Sequence, residues 1–91
     1  MSAMEDVAVR GAIEARCITL IARALGGIAR REVTPDADFA DDLNADSLDM
    51  VTIAMAAEDE FGVAISDDEA AVTETVAELV ALIARKSGAE G

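Results

Sequence analysis

The run Phe39-Ala40-Asp41-Asp42-Leu43-Asn44-Ala45-Asp46-Ser47-Leu48-Asp49-Met50 passes from a loop rich in turn-forming acids straight into a helix, with one serine at the junction. No glycine or proline interrupts Leu48 to Glu60. Ser47 therefore reads as the N-cap of that helix, and Asp49 adds negative charge to its first turn. A cap hydroxyl is exposed, and the free N–H groups and positive dipole of a helix start favour a phosphate esterified there. Cap chemistry alone is satisfied equally well by a serine that only holds the helix end.

Residues advance about 100° each around a helix axis. On that wheel Met50, Ile53, Ala54, Ala57 and Phe61 share one side, the predicted core face. Leu48, Val51 and Met55 form a second apolar stripe opposite, flanked by Asp49, Glu58 and Asp59. One helix of a small domain cannot bury both faces, so the second stripe is predicted to be an exposed strip rimmed by acids, suited to a basic partner. The competing reading packs that stripe under a loop.

Working outward, Glu5 to Leu25 carries Ile13, Cys17, Leu20, Ile21, Ala24 and Leu25 on one stripe and predicts the first helix. Gly11 weakens its interior, so the segment before it is expected to fray, and Gly26-Gly27 end the helix. Residues 28 to 46 read as a long loop, broken by Pro35, turned by its aspartates and pinned by Ile28, Val33, Phe39 and Leu43. A loop that long is more often functional than neutral. Ser66-Asp67-Asp68-Glu69 has capping-box spacing and predicts a short third helix ending before Val72; Thr75 to Glu78 repeats the spacing before a last helix with Val76, Leu79, Val80 and Ile83 as its core stripe. Arg85-Lys86 complement that helix's dipole and Gly88 closes it.

The whole chain has 91 residues, enough for one domain with a modest core, expected over residues 1–91 with 1–4 and 87–91 as flexible tails. A hydrophobic fraction of 53% excludes a disordered chain, and 2% aromatic content with one proline supports helix over sheet. The net charge of −12 argues against nucleic acid or an anionic membrane as partner and for Lys- or Arg-rich protein surfaces. Glu32 to Ala84 contains no lysine or arginine, so repulsion there should make the fold respond to salt and divalent cations.

With no histidine, Ser–His and Cys–His catalysis and His-based metal sites are excluded. A calcium loop starting at Asp36 fails, because Ala40 takes a ligand position, Asp41 the turn glycine and Ser47 the bidentate glutamate. No catalytic residue and no metal ligand set is predicted. Cys17 alone forms no internal disulfide and reads as a buried small hydrophobe. The acidic first residues and the lack of a long uncharged apolar run predict neither signal peptide nor membrane span, hence a cytoplasmic protein.

The run from Phe39 to Asp49 resembles the acyl carrier protein signature, in which the serine of Asp-Ser-Leu bears 4'-phosphopantetheine. The similarity continues through Met55-Ala56-Ala57-Glu58-Asp59-Glu60-Phe61-Gly62-Val63 and Ile65-Ser66-Asp67-Asp68-Glu69. The resemblance implies an all-α four-helix bundle with a short third helix and a long loop between helices 1 and 2. It also implies a monomeric substrate shuttle rather than an enzyme. A phosphopantetheinyl transferase would move the arm from coenzyme A to Ser47, with Asp46, Leu48 and Asp49 flanking the serine and aiding recognition. Acyl-transferring enzymes and synthases with basic surfaces would dock on Val51, Met55, Glu58 and Asp59. The cargo would be an acyl thioester of fatty-acid, specialised lipid or polyketide biosynthesis. The alternative is an unmodified acidic helical adaptor that binds a basic partner through the second helix.

Three positions depart from the commonest family pattern. Asn44 stands where glycine usually precedes Ala-Asp-Ser-Leu, and tolerates left-handed backbone. Thr52 replaces an acid on the docking face. Ala57 occupies a core position that is often leucine, which with Ala54 and Ala56 suggests a roomier acyl cavity.

Overall fold

The computed structural model describes residues 3–88, with side chains from Val9 onward. Four helices follow in order: α1 (Ala3–Ala24), α2 (Ser47–Phe61), α3 (Asp67–Val72) and α4 (Val76–Lys86), with a 3-10 turn at Arg30–Glu32. The fold is the expected all-α bundle; among the described residues the only β pairing is an isolated bridge between Asp38 and Thr75. Met1, Ser2 and residues 89–91, all expected in tails, lie outside the described residues. Helix α1 begins at Ala3, two positions before the expected start, and runs through Gly11 without a break.

Both α2 and α4 pack on α1, and α3 packs on α2. The first and last helices hold the centre: Cys17, Ile21, Val76 and Ile83 are fully buried, with Ile53 and Ala57 of α2 between them. Each isoleucine or valine among these contributes roughly 1.5–3 kcal/mol by leaving water, and among the described residues no buried polar or charged residue offsets that gain. Met50 and Phe61 are only partly buried, at the border of the predicted core face of α2.

Helix ends follow their residues closely. At Gly26 and Gly27, φ values of +87° and +83° turn the chain so that the Gly27 N–H reaches Ala22 O at 2.8 Å. A side chain at either position would meet backbone strain. Gly62, at φ +65°, donates to Glu58 O and ends α2 in the same way. Ser66 and Glu69 form the reciprocal capping box of α3. At α4 half of that pattern shifts: Thr75 Oγ1 accepts from the Glu78 N–H at 3.2 Å, but the Glu78 carboxylate accepts from Glu74, not Thr75, at 3.0 Å.

The long loop is ordered by its own acids and by α4. The Asp38 carboxylate accepts from the Ala40 and Asp41 N–H groups, both at 2.9 Å, and Asp42 accepts from the Asp38 N–H at 2.7 Å. The backbone N–H of Phe39 donates to Glu74 O, that of Val76 to Ala37 O and that of Ala77 to Pro35 O, at 2.9, 3.1 and 2.8 Å. Val33, Ala37 and Phe39 are buried beneath, while Ile28 and Leu43 pack at the margin. These contacts fix the segment that leads to Ser47.

Candidate functional site

The structure moves the start of α2 by one residue. Asp46, not Ser47, is the N-cap: its carboxylate accepts from the Asp49 N–H at 2.8 Å, and the Asp49 carboxylate accepts from the Asp46 N–H at 3.0 Å. Aspartate and serine cap about equally well, and here the carboxylate also places its charge at the positive end of the helix dipole. The signal was present in the sequence as Asp46 and Asp49 at capping-box spacing, but a serine adjacent to an aspartate makes either a plausible cap. Ser47 is thereby released: it is the first helical residue, is exposed, and its hydroxyl has no hydrogen-bond partner among the described residues. The side chain expected to hold the helix end is free for chemistry, and its neighbour does the holding.

Upstream, Asn44 has φ +57°, the only positive φ of a non-glycine among the described residues. This left-handed residue turns the chain so that Ala45 can donate to Phe39 O at 2.8 Å, and so aims Asp46 and Ser47 at the start of α2. Beside Ser47 lies an open cavity of about 380 Å³. Its walls include Phe39 and Asp46 of the loop, Met50 of α2, and Ala71, Thr73 and Glu74 of the α3 to α4 segment. The residues of that last segment were not singled out from the sequence, since nothing local signals a contact across the fold.

Along α2, the second stripe stays out of the core. Leu48, Val51 and Met55 are 71%, 40% and 63% exposed, values that exclude packing under a loop. Asp59 is exposed beside them, whereas Glu58 is half-buried and accepts from the Ile65 N–H at 3.2 Å, which holds the turn after α2. Thr52 is exposed and donates its hydroxyl to Leu48 O at 3.1 Å. Val72 on α3 is another large exposed apolar side chain, at 72%, close in sequence to the cavity wall.

The remaining reactive groups lie elsewhere. Cys17 is fully buried, and burial pushes its thiol up to about 12, so it is un-ionised and inert in the folded protein. Among the described residues no group of acids or cysteines is arranged to hold a metal ion. No helix there is long and apolar enough to cross a membrane. Ala54 and Ala57, expected to enlarge an acyl cavity, are buried and line neither the cavity beside Ser47 nor the trough between α1 and α2; Ala56 lines the latter.

Residues 16–83 match the family model for a phosphopantetheine attachment site. The chain is also similar to an acyl carrier protein of Solidesulfovibrio magneticus, with 48% identity over 62 residues that span 68% of this chain and 80% of that protein. The matched region runs from the middle of α1 to the end of the α4 core and includes the loop, Ser47 and all of α2. It brings with it a covalent 4'-phosphopantetheine group as cofactor and a carrier's role in place of a catalyst's. A free hydroxyl on an ordered, acid-capped helix start fits that group, and this all-helical chain belongs to the acyl carrier protein family.

Proposed function

We propose that Ser47 Oγ is the point of attachment of 4'-phosphopantetheine and that the protein is a discrete, monomeric, cytoplasmic carrier of acyl groups for fatty-acid, specialised lipid or polyketide synthesis. The observation that carries this is the exposed Ser47 hydroxyl without a partner among the described residues, set at the first position of a helix already capped by Asp46. The arm, when bound, supplies a terminal thiol that holds the acyl group as a thioester. The protein's own residues do the rest. The dipole of α2 favours the phosphodiester. The cavity lined by Met50, Ala71 and Thr73 offers apolar surface next to the attachment point. A tether of fixed length raises the effective concentration of cargo at each docked enzyme.

Leu48, Val51, Met55 and Asp59 support α2 as the surface on which the transferase and the acyl-handling enzymes dock, because an exposed apolar strip with an acidic rim matches basic patches. Glu58 supports the strip from behind through Ile65. Asp46 and Asp49 hold each other, so their contribution to recognition is the shape and charge of the helix start.

The test is coexpression with a phosphopantetheinyl transferase followed by intact mass. One phosphopantetheinyl group added to the wild type and none to Ser47→Ala supports the reading. An unchanged wild-type mass in the presence of a transferase active on another carrier removes it and leaves the acidic adaptor. Mass spectrometry of the protein from its native host reads the cargo directly.

A further inference from the structure

A larger cavity than the one beside Ser47 lies on another side of α2. An open trough of about 690 Å³ runs between α1 and α2, bordered on the α2 side by Thr52 and Asp59 of the proposed docking face. The two helices run antiparallel along it, Arg23 and Ala24 lying toward Thr52, Leu20 toward Ala56, and Arg16 toward Glu60. From Arg23 back to Arg16 the trough extends about 11 Å at 1.5 Å per residue. Small side chains at Ala15, Ala24 and Ala56 give it depth.

Its two ends differ in charge. At one, Arg16 crosses from α1 to the Glu60 carboxylate and backbone oxygen and lies 4.7 Å above the Phe61 ring, so this guanidinium already has an acid partner. Asp59 lies at the same end. At the other, Arg23 and Arg30 converge on the trough and neither meets an acid or an acceptor among the described residues. Thr52, facing them from α2, adds no charge. Five of the seven basic residues, Arg10 to Arg31, lie on α1 and the segment that follows it, so this is the cationic side of a protein with net charge −12.

We propose that the trough binds an amphipathic monoanion of medium length, a free alkyl carboxylate. Arg23 and Arg30 take the carboxylate, and the hydrocarbon lies over Leu20, Ala56 and Ala15. Two guanidinium groups suit a carboxylate's paired oxygens, and the volume lies within the usual range of small-molecule sites. A single anionic head group matches the two unpaired arginines at one end, and Asp59 sets the direction by repelling a head group placed at the Arg16–Glu60 end. This site does not depend on Ser47, though it shares Thr52 and Asp59 with the border of the proposed docking face.

The experiment is amide chemical-shift mapping of the unmodified full chain titrated with decanoate below its micelle concentration, with decanol as the uncharged control. Decanoate is expected to give saturable shifts centred on Ala15, Leu20, Ala24 and Ala56. Arg23→Glu with Arg30→Glu should weaken decanoate by about tenfold or more, the worth of charge-assisted hydrogen bonds, and leave decanol unchanged. Thr52→Glu, a surface change that sets an acid opposite the arginines, should weaken it in the same sense, while Arg23→Lys retains most of it. Unfolding curves of each variant identify any that fail to fold. Shifts centred on Ser47, Met50 and Ala71, equal binding of decanol, or variants that bind like wild type would overturn the proposal. So would an absence of saturable shifts with a loss of transferase kcat/KM in the Arg23 and Arg30 variants, which would make the trough a protein contact.

Discussion

Helices α2 and α4 are both rich in apolar residues, yet they use them in opposite ways. In α4, Val76, Leu79, Val80, Leu82, Ile83 and Ala84 are buried out of 11 residues. In α2 only Ile53, Ala54 and Ala57 are buried out of 15, and Leu48, Val51 and Met55 face water. The difference lies in the arrangement of side chains around each axis rather than in their number. One helix is an element of the core that happens to reach the surface. The other leaves unburied an apolar strip that the fold does not need, the strip proposed above as the docking surface.

The sharpest way to break that comparison is to cut equal side chains from each helix. Ile83→Ala in α4 should destabilise the fold by about 2–5 kcal/mol in urea or thermal unfolding, through lost burial and the cavity left behind. Met55→Ala or Leu48→Ala in α2 should change stability by no more than about 0.5 kcal/mol. A large loss at Met55 would return the strip to the core.

The start of α2 offers a second, smaller contrast. Asp46→Ala removes the cap and should cost about 1 kcal/mol, whereas Ser47→Ala removes a hydroxyl that holds nothing and should leave unfolding curves in place. Equal losses would reinstate Ser47 as the cap. Just before them, Asn44→Ala should cost roughly 1 kcal/mol because φ +57° is unfavourable for a residue with a Cβ, while Asn44→Gly should be tolerated.

Two predictions concern pH. The Glu69 carboxyl is held below its ordinary range by the Ser66 backbone N–H and by Lys86, whose Nζ lies 3.0 Å away. An acid with a depressed folded pKa stabilises the fold above its unfolded pKa and loses that contribution as pH falls through the folded value. Lys86→Met should therefore flatten a small part of the acid limb of the stability profile, below the ordinary glutamate range. Cys17 works at the other extreme: with its thiol raised from 9.0 to about 12, stability should fall as pH rises between those values, and Cys17→Ser or Cys17→Ala should remove that alkaline slope. At neutral pH a thiol reagent should label Cys17 only after denaturant opens the fold.

How much of this could be read from the chain depended on distance along it. The stripes of α1 and α4, the Ser66 box and the two faces of α2 follow from residues within a few positions of one another, and all are visible in the sequence. The N-cap was legible as a place but not as a residue, because Asp46 and Ser47 are adjacent and both can cap. Glu58 looked like one more rim acid, since its acceptance from Ile65 depends on how the chain turns after Gly62. The Arg16 to Glu60 bridge joins residues 44 apart in the chain, and no local pattern announces it. The same is true of the walls that Ala71 and Thr73 give to the Ser47 cavity.

The clasp between Pro35, Ala37 and Phe39 on one side and Glu74, Val76 and Ala77 on the other has a consequence for truncation. A chain stopped before Val76 would retain every residue of the Asp-Ser-Leu motif and still lose the platform under it, since the approach to the serine is moored to the start of α4. The motif is local on paper and depends on the C-terminal helix in space.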